Sequence, residues 1–250
     1  MSVTSNNLQG VRQRIRDAVE AAQRAVDSVT LIAVTKTFPA SAVLDVLADG
    51  QRDFGENYLQ EAVDKIVTVA ATLEDWRSTS RSDAAVLEPV WHFIGPIQSN
   101  KTRAIATRFD WVHSVDRLKI AERLSTQRDP DRDPLNVLIE VNLDREATKS
   151  GVAPVDVAAL AHAIAGLPRL RLRGLMTVPA PRTGHAAQRA VFAELRVLAE
   201  RLRSDGLPCE HLSMGMSADL EAAIAEGATM VRVGTAIFGV RPATMKKESP

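Results

Sequence analysis

The sequence predicts an α/β protein that folds as a single (β/α)8 TIM barrel with an extra N-terminal helix. Eight candidate strands, the first of them rich in β-branched residues, alternate with segments of helical periodicity over 250 residues, the usual length of this barrel. The first of these strands ends in Thr35-Lys36-Thr37-Phe38-Pro39. An open doubly wound sheet is the alternative, but that fold usually has fewer strands and a glycine-rich turn after the first. The barrel is therefore favoured.

The elements follow one another along the chain in a regular order. A helix is predicted at Leu8–Val29, where apolar residues recur at three- and four-residue spacings. The first strand, Val29–Thr37, is apolar on both faces, as buried parallel strands are, and the helix Ala40–Ala48 ends at Gly50. The other strands are predicted at Asp53–Asn57, Trp91–Gly95, Trp111–Val115, Asn136–Asn142, Arg171–Val178, Glu210–Gly215 and Met230–Gly234. The other helices are predicted at Leu59–Leu73, Asn100–Arg108, Arg117–Gln127, Val155–Ala165, Ala186–Ser204 and Ala218–Glu226.

Two polar segments interrupt this rhythm. Glu74–Pro89 is long and polar, which predicts a surface insertion between the second helix and the third strand of the barrel. The charged end, Met245–Pro250, predicts a flexible tail. The barrel domain is accordingly assigned to residues 1–244.

Composition excludes several classes of function. The chain carries 31 basic and 31 acidic side chains, so it lacks the basic excess of a nucleic-acid-binding protein. A single cysteine, Cys209, forms no internal disulfide, and the histidines show no spacing of metal ligands. No segment approaches the roughly 20 apolar residues of a membrane span, and the first ten residues do not form a secretory signal. The expectation is a cytoplasmic protein without membrane or metal.

The candidate site residues lie at the carboxyl ends of the strands, where TIM barrels hold their active sites. The polar residues at these ends are Lys36, Asn57, His92, Asn142, Ser213, Arg232 and Thr235. Lys36 continues the face of Ile32 and Val34, and a lysine in a partly dry pocket becomes a nucleophile able to form a Schiff base. The alternative for this residue alone is a solvated lysine at the rim of the strand.

Two glycine-containing segments predict a phosphate site. Ser213–Ser217 and Val231–Thr235 follow strands seven and eight, where barrels often bind phosphate through backbone amides and a short extra helix. Ser217 is the expected N-cap of the helix that begins at Ala218, and Gly234-Thr235 opens towards a short helical turn. The alternative is that these glycines serve only tight turns.

Arg232 lies in the middle of an apolar strand and shares a face with Gly234, so its side chain is expected inside the barrel. An inward guanidinium needs hydrogen-bond acceptors. They would come either from a ligand or from a structural salt bridge, for instance with Glu140.

Taken together, these stretches resemble one family, the pyridoxal 5'-phosphate (PLP) homeostasis proteins, also called YggS-like proteins. The matching stretches, in family order, are Leu31–Thr37, Phe54–Tyr58, Trp91–Lys101, Glu140–Asn142, Lys149–Gly151, Gly174–Thr177, Leu212–Ser217 and Val231–Gly239. The segment Glu74–Pro89 is longer than is usual in the family.

The resemblance implies a barrel like the N-terminal domain of alanine racemases, with PLP held on a lysine as an internal aldimine. Lys36 matches the Schiff-base lysine. Ser213, Gly234 and Thr235 match phosphate-binding positions, Arg232 matches the arginine near the pyridine nitrogen, and Asn57 matches a residue beside the ring.

The function that the resemblance implies is a carrier that holds and delivers PLP, with PLP-dependent apoenzymes as partners, a monomeric state and no established catalytic reaction. One alternative is a PLP-dependent amino-acid racemase. Another is a lysine-dependent aldolase acting on a phosphorylated sugar.

Overall fold

The computed structural model describes residues 2–79, 87–146 and 148–240. Eight parallel strands form a closed barrel in chain order, and β8 pairs with β1. The strands are β1 Thr30–Val34, β2 Asp53–Glu56, β3 Val90–Phe93, β4 Trp111–Val115, β5 Leu135–Glu140, β6 Leu170–Met176, β7 His211–Ser213 and β8 Met230–Val233. The helices are α1 Val3–Ala21, α2 Ala40–Ala48, α3 Leu59–Thr79, α4 Thr102–Arg108, α5 Leu118–Gln127, α6 Val157–Ala165, α7 His185–Ser204, α8 Leu220–Ala225 and α9 Thr235–Phe238. The predicted fold class is confirmed.

The barrel has two separate apolar regions. The larger packs the outer faces of the strands against the helices, and buried residues such as Phe54, Phe109 and Phe192 belong to it. The smaller lies within the barrel and consists of Ile32, Leu138, Met176 and Met230. Because parallel strands bury both faces, their near-continuous apolar runs were visible in the sequence.

The N-terminal helix differs from its prediction at both ends. It begins at Val3, where the Ser2 side chain accepts a hydrogen bond from the backbone N–H of Ser5, as N-cap residues do. It ends at Ala21 rather than Val29, because Gln23 adopts a left-handed conformation with φ 55°. The apolar spacing continues past this point, but Val26 is 67% exposed.

The predicted insertion is partly wrong. Helix α3 continues to Thr79, so the first residues of Glu74–Pro89 extend the helix instead of forming a loop. Residues 80–86 lie outside the described residues, as do residues 241–250 with the predicted tail. Among the described residues, no helix has the length and apolar character that would be needed to cross a bilayer.

Candidate functional site

A pocket of about 310 Å³ opens at the carboxyl end of the barrel, within the size range of small-molecule sites. It brings together five of the six predicted cofactor-binding residues, namely Lys36, Asn57, Arg232, Gly234 and Thr235. The other lining residues are Val34, Phe38, Ile94, Val178, Met216, Ser217, Ala218 and Gly239. Ser213, the sixth, does not line the pocket; it is fully buried below it.

Lys36 lies in a tight turn just beyond β1, which ends three residues earlier than predicted. The backbone N–H of Phe38 donates to the carbonyl of Thr35 at 3.0 Å. Thr37 adopts φ 68°, a left-handed conformation that is costly for a β-branched residue. Its backbone N–H donates to Glu61 Oε1 at 2.6 Å. The turn that presents Lys36 is therefore held from the side of α3.

A buried ion pair supports the same turn from below. Lys65 Nζ lies 2.5 Å from Glu56 Oε1 and 2.9 Å from Glu61 Oε1, and it donates to the carbonyl of Thr35 at 2.6 Å. The side chains of Lys65 and Glu56 are 3% and 0% exposed. Burial raises the pKa of Glu56, while Lys65 and the Thr35 hydroxyl act in the opposite direction. The sequence does not predict this pair; its one visible sign is the spacing of Glu61 and Lys65 on one helical face.

Lys149 also lies at this end of the barrel, and two carboxylates surround its amine. Its Nζ lies 2.6 Å from Asp144 Oδ2 and 3.4 Å from Glu146 Oε1. The hydrogen bond to Asp144 raises the pKa of Lys149 above its usual range. A lysine held in its protonated form is a poor nucleophile, and Lys149 does not line the pocket.

Asn57 follows β2 and presents an unpaired acceptor. Its Oδ1 is buried and has no hydrogen-bond partner among the described residues. Its backbone packs so closely on Gly95 that a Cβ at that position would lie 2.2 Å from the Asn57 carbonyl oxygen. A buried acceptor without a partner is costly, so this atom is suited to a ligand that donates a hydrogen bond.

Arg232 forms the floor of the pocket. One of its terminal nitrogens donates to Ser213 Oγ at 2.6 Å and the other to the carbonyl of Thr177 at 2.9 Å. Burial lowers the pKa of Arg232 to about 10, so the group stays charged at neutral pH. The salt bridge with Glu140, offered as an alternative, does not form between these two described residues.

The segment after β7 turns sharply towards the pocket. Gly215 has φ 93°, and a Cβ there would lie 2.6 Å from the Ala223 Cβ, so only glycine fits this turn. The predicted N-cap role of Ser217 is wrong. Helix α8 begins at Leu220, and Asp219 precedes it and accepts from the backbone N–H of Met216 at 2.6 Å. The Asp219 carboxylate reaches the turn amide, which leaves Ser217 in the pocket wall.

The segment after β8 forms the short helical turn that the sequence predicts. Helix α9 begins at Thr235 directly after Gly234, and the first backbone N–H groups of a helix have no partner within it. The Thr235 side chain is exposed at the mouth of the pocket. A hydroxyl, the amino end of α9 and the buried cation Arg232 thus lie on one side of the pocket, a combination suited to an anion.

The remaining candidates take structural positions. Asn142 donates from its side-chain amide to the carbonyl of Glu146 at 2.8 Å, and His92 is buried in the barrel interior. Within the described parts of the chain, no three His, Cys, Asp or Glu residues are arranged as metal ligands.

Comparison with known proteins gives one consistent answer. Residues 7–242 match the family model of the alanine racemase N-terminal domain. The pyridoxal phosphate homeostasis protein of Pseudomonas aeruginosa is 55% identical over 241 residues, covering 96% of this chain and 97% of that protein. The protein of the same name from Escherichia coli is 47% identical over 246 residues, covering 98% and 100%. PipY of Synechococcus elongatus, solved with PLP bound, is 36% identical with a TM-score of 0.76, covering 94% and 100%. The chain therefore belongs to the pyridoxal phosphate homeostasis protein family and has the alanine racemase N-terminal domain fold.

Proposed function

We propose that this protein binds pyridoxal 5'-phosphate in the pocket at the carboxyl end of the barrel and contributes to intracellular PLP homeostasis as a carrier. One observation carries this proposal: a lysine, the turn that begins α9, a buried arginine and an unpaired amide oxygen line the same pocket. The names of the relatives and the PLP bound to PipY support it.

The residues fit the chemical groups of PLP. When bound, the cofactor supplies an aldehyde that reacts with amines and a ring that accepts electrons. Lys36 would provide the amine, and Thr235 with the amides of the Gly234-Thr235 turn would bind the phosphate. Asn57 Oδ1 would accept a hydrogen bond beside the ring. Ser213 would act through Arg232, because its hydroxyl accepts from that guanidinium.

Arg232 would lie near the pyridine nitrogen and keep it unprotonated, because a charged guanidinium donates hydrogen bonds and accepts none. An unprotonated ring is a weaker electron sink, which disfavours racemase chemistry. Tyr58 is the one tyrosine of the chain. It is 47% exposed and lies outside the pocket lining, so it is not placed to act as a second acid–base group. We therefore propose a non-catalytic carrier, monomeric and cytoplasmic, that serves PLP-dependent apoenzymes.

Covalent trapping tests the carrier proposal. Wild-type protein incubated with PLP should show visible absorbance after dialysis, and borohydride reduction should fix the cofactor on Lys36. Lys36→Ala should lose this absorbance and stay folded by circular dichroism. Lys149→Ala is the matched control and should keep the absorbance. A reduced adduct found on Lys149 instead of Lys36 would overturn the assignment.

Chiral analysis tests the racemase alternative. Cofactor-loaded protein incubated with L-alanine should yield negligible D-alanine. Slow exchange of the substrate's α-hydrogen with Lys36 as the sole base would not by itself indicate racemisation. Sustained formation of D-alanine that is lost in Lys36→Ala would replace the carrier proposal with an enzyme.

A further inference from the structure

A continuous chain of polar side chains crosses the interior of the barrel from its amino end to the pocket. Asp53 Oδ1 lies 3.0 Å from His92 Nε2, and His92 Nδ1 lies 2.9 Å from His113 Nε2. His113 Nδ1 lies 2.9 Å from Ser213 Oγ, which accepts from Arg232 Nη1 at 2.6 Å. We call these five residues the interior relay. Strands β2, β3, β4, β7 and β8 each contribute one member.

The contact with Arg232 determines which atom donates and which accepts at each hydrogen bond of the interior relay. The Arg232 guanidinium donates only, so Ser213 Oγ is an acceptor at this contact. Among the described residues, His113 Nδ1 is the other partner of that oxygen, so the Ser213 hydroxyl donates to it. His113 then carries its proton on Nε2 and donates to His92 Nδ1. His92 in turn carries its proton on Nε2 and donates to the Asp53 carboxylate.

Hydrogen-bond donation in the opposite direction, from His113 to Ser213, is unfavourable. If His113 Nδ1 donated to Ser213, the Nε2 of His113 would have to accept from His92 Nδ1. His92 would then need protons on both nitrogens to satisfy Asp53 as well. This would place a cation on a side chain that is 0% exposed and is balanced only by the partly exposed Asp53 carboxylate, and the desolvation of such a buried charge is costly. The Ser213 proton would also lose its acceptor. Burial, with His92 and Arg232 nearby, holds the pKa of His113 well below its usual range, in agreement with a neutral ring.

The surroundings distinguish a third histidine, the half-buried His211, from these two. The His92 ring stacks on Trp111 with centroids 5.7 Å apart. Beyond Trp111, His211 Nε2 accepts from Arg173 Nη2 at 3.2 Å, so His211 carries its proton on Nδ1. These hydrogen bonds therefore predict one tautomer for His92 and His113 and the other for His211.

We propose that His92 and His113 are positioning residues for the cofactor site: with Asp53 they orient the Ser213 hydroxyl, which holds Arg232 so that its remaining N–H groups face the pocket. The side chain of Asp53 is 26% exposed at the far end of the barrel. A change there thus reaches the pocket without any contact between Asp53 and a ligand. The connection to PLP depends on the proposed function; the tautomers do not.

Nitrogen-15 NMR of the histidine rings, recorded without cofactor, tests the tautomers. Wild-type protein should show His92 and His113 protonated on Nε2 and His211 on Nδ1. Asp53→Leu removes the terminal acceptor and should change the tautomer populations of His92 and also of His113, which Asp53 does not contact. Asp53→Asn keeps an acceptor oxygen and should preserve the wild-type pattern. Ser213→Ala removes the hydroxyl that contacts His113 Nδ1 and should also change the tautomer population of His113. Wild-type His113 protonated on Nδ1 would overturn the proposal.

Equilibrium binding of PLP tests the connection to the pocket. Asp53→Leu should bind PLP about three- to tenfold more weakly, the range expected for loss of one supporting hydrogen bond, while Asp53→Asn should bind like the wild type. If Asp53→Leu binds PLP with the same affinity as Asp53→Asn and the wild type, the positioning role is overturned. Absence of PLP binding by wild-type protein would instead refute the proposed function, and the tautomers would still decide whether the interior relay exists.

Discussion

Replacing the buried Lys65 with methionine should strongly destabilise the protein, because this lysine supports the turn at the carboxyl end of β1. The substitution keeps the length and most of the volume of the side chain. It removes the cation that lies 2.5 Å from Glu56 Oε1 and the donor to the Thr35 carbonyl. Glu56 would remain 0% exposed with the Thr35 hydroxyl, at 2.6 Å, as its remaining partner.

Breaking a buried ion pair on one side costs about 3–5 kcal/mol. For a chain of this size each kcal/mol lowers the melting temperature by about 2–4 °C, so Lys65→Met should melt roughly 6–20 °C lower. Glu56 already has a raised pKa in the folded state, and loss of Lys65 raises it further. Stability of the variant is therefore lost as the pH rises through that folded pKa, and the deficit should be larger at pH 8 than at pH 5.

Reversible urea unfolding at both pH values measures this deficit. Lys119→Met, at an exposed position of α5, is the control for the change of residue type. The double variant Lys65→Met, Glu56→Gln should recover much of the stability, because no buried charge is left without a partner. A deficit below about 1 kcal/mol, or one that does not depend on pH, would refute the reasoning.

Three further substitutions test separate features. Gly215→Ala should lower the unfolding free energy by about 1–3 kcal/mol, because its Cβ would lie 2.6 Å from that of Ala223. Gly206→Ala has a similar positive φ and open space around it, so it should cost less in the same denaturation assay. Burial raises the pKa of Glu140 to about 7. Wild-type stability should therefore fall relative to Glu140→Gln as the pH rises from about 4.5 to 7, and parallel unfolding curves that keep a constant offset would contradict this. Thr235→Val should weaken PLP binding roughly 10- to 100-fold by removing one donor to a charged group; Thr235→Ser should not, and pyridoxal without phosphate should bind far more weakly than PLP to the wild type.

The architecture and the main lining residues of the pocket were predictable from the sequence, because they follow from periodicity and chain order. Strands such as β1 and β8 appear as apolar runs in the sequence, and parallel strands bring their carboxyl ends to one face of a barrel. Lys36, Asn57, Arg232 and the Gly234-Thr235 turn therefore had to lie near one another. The roles of these residues in binding PLP remain predictions.

Tertiary structure decided which partner each buried polar group finds. The family resemblance matches Ser213 with a phosphate-binding position, whereas its hydroxyl lies between Arg232 and His113, a residue 100 positions away in the chain. Lys65 reaches Glu56 and the Thr35 carbonyl, and Asp219 rather than Ser217 precedes α8. Periodicity reports the face on which a side chain lies. The hydrogen bonds of a buried group depend on contacts of a few ångströms between strands distant in sequence, and these distances exist only once the barrel has closed.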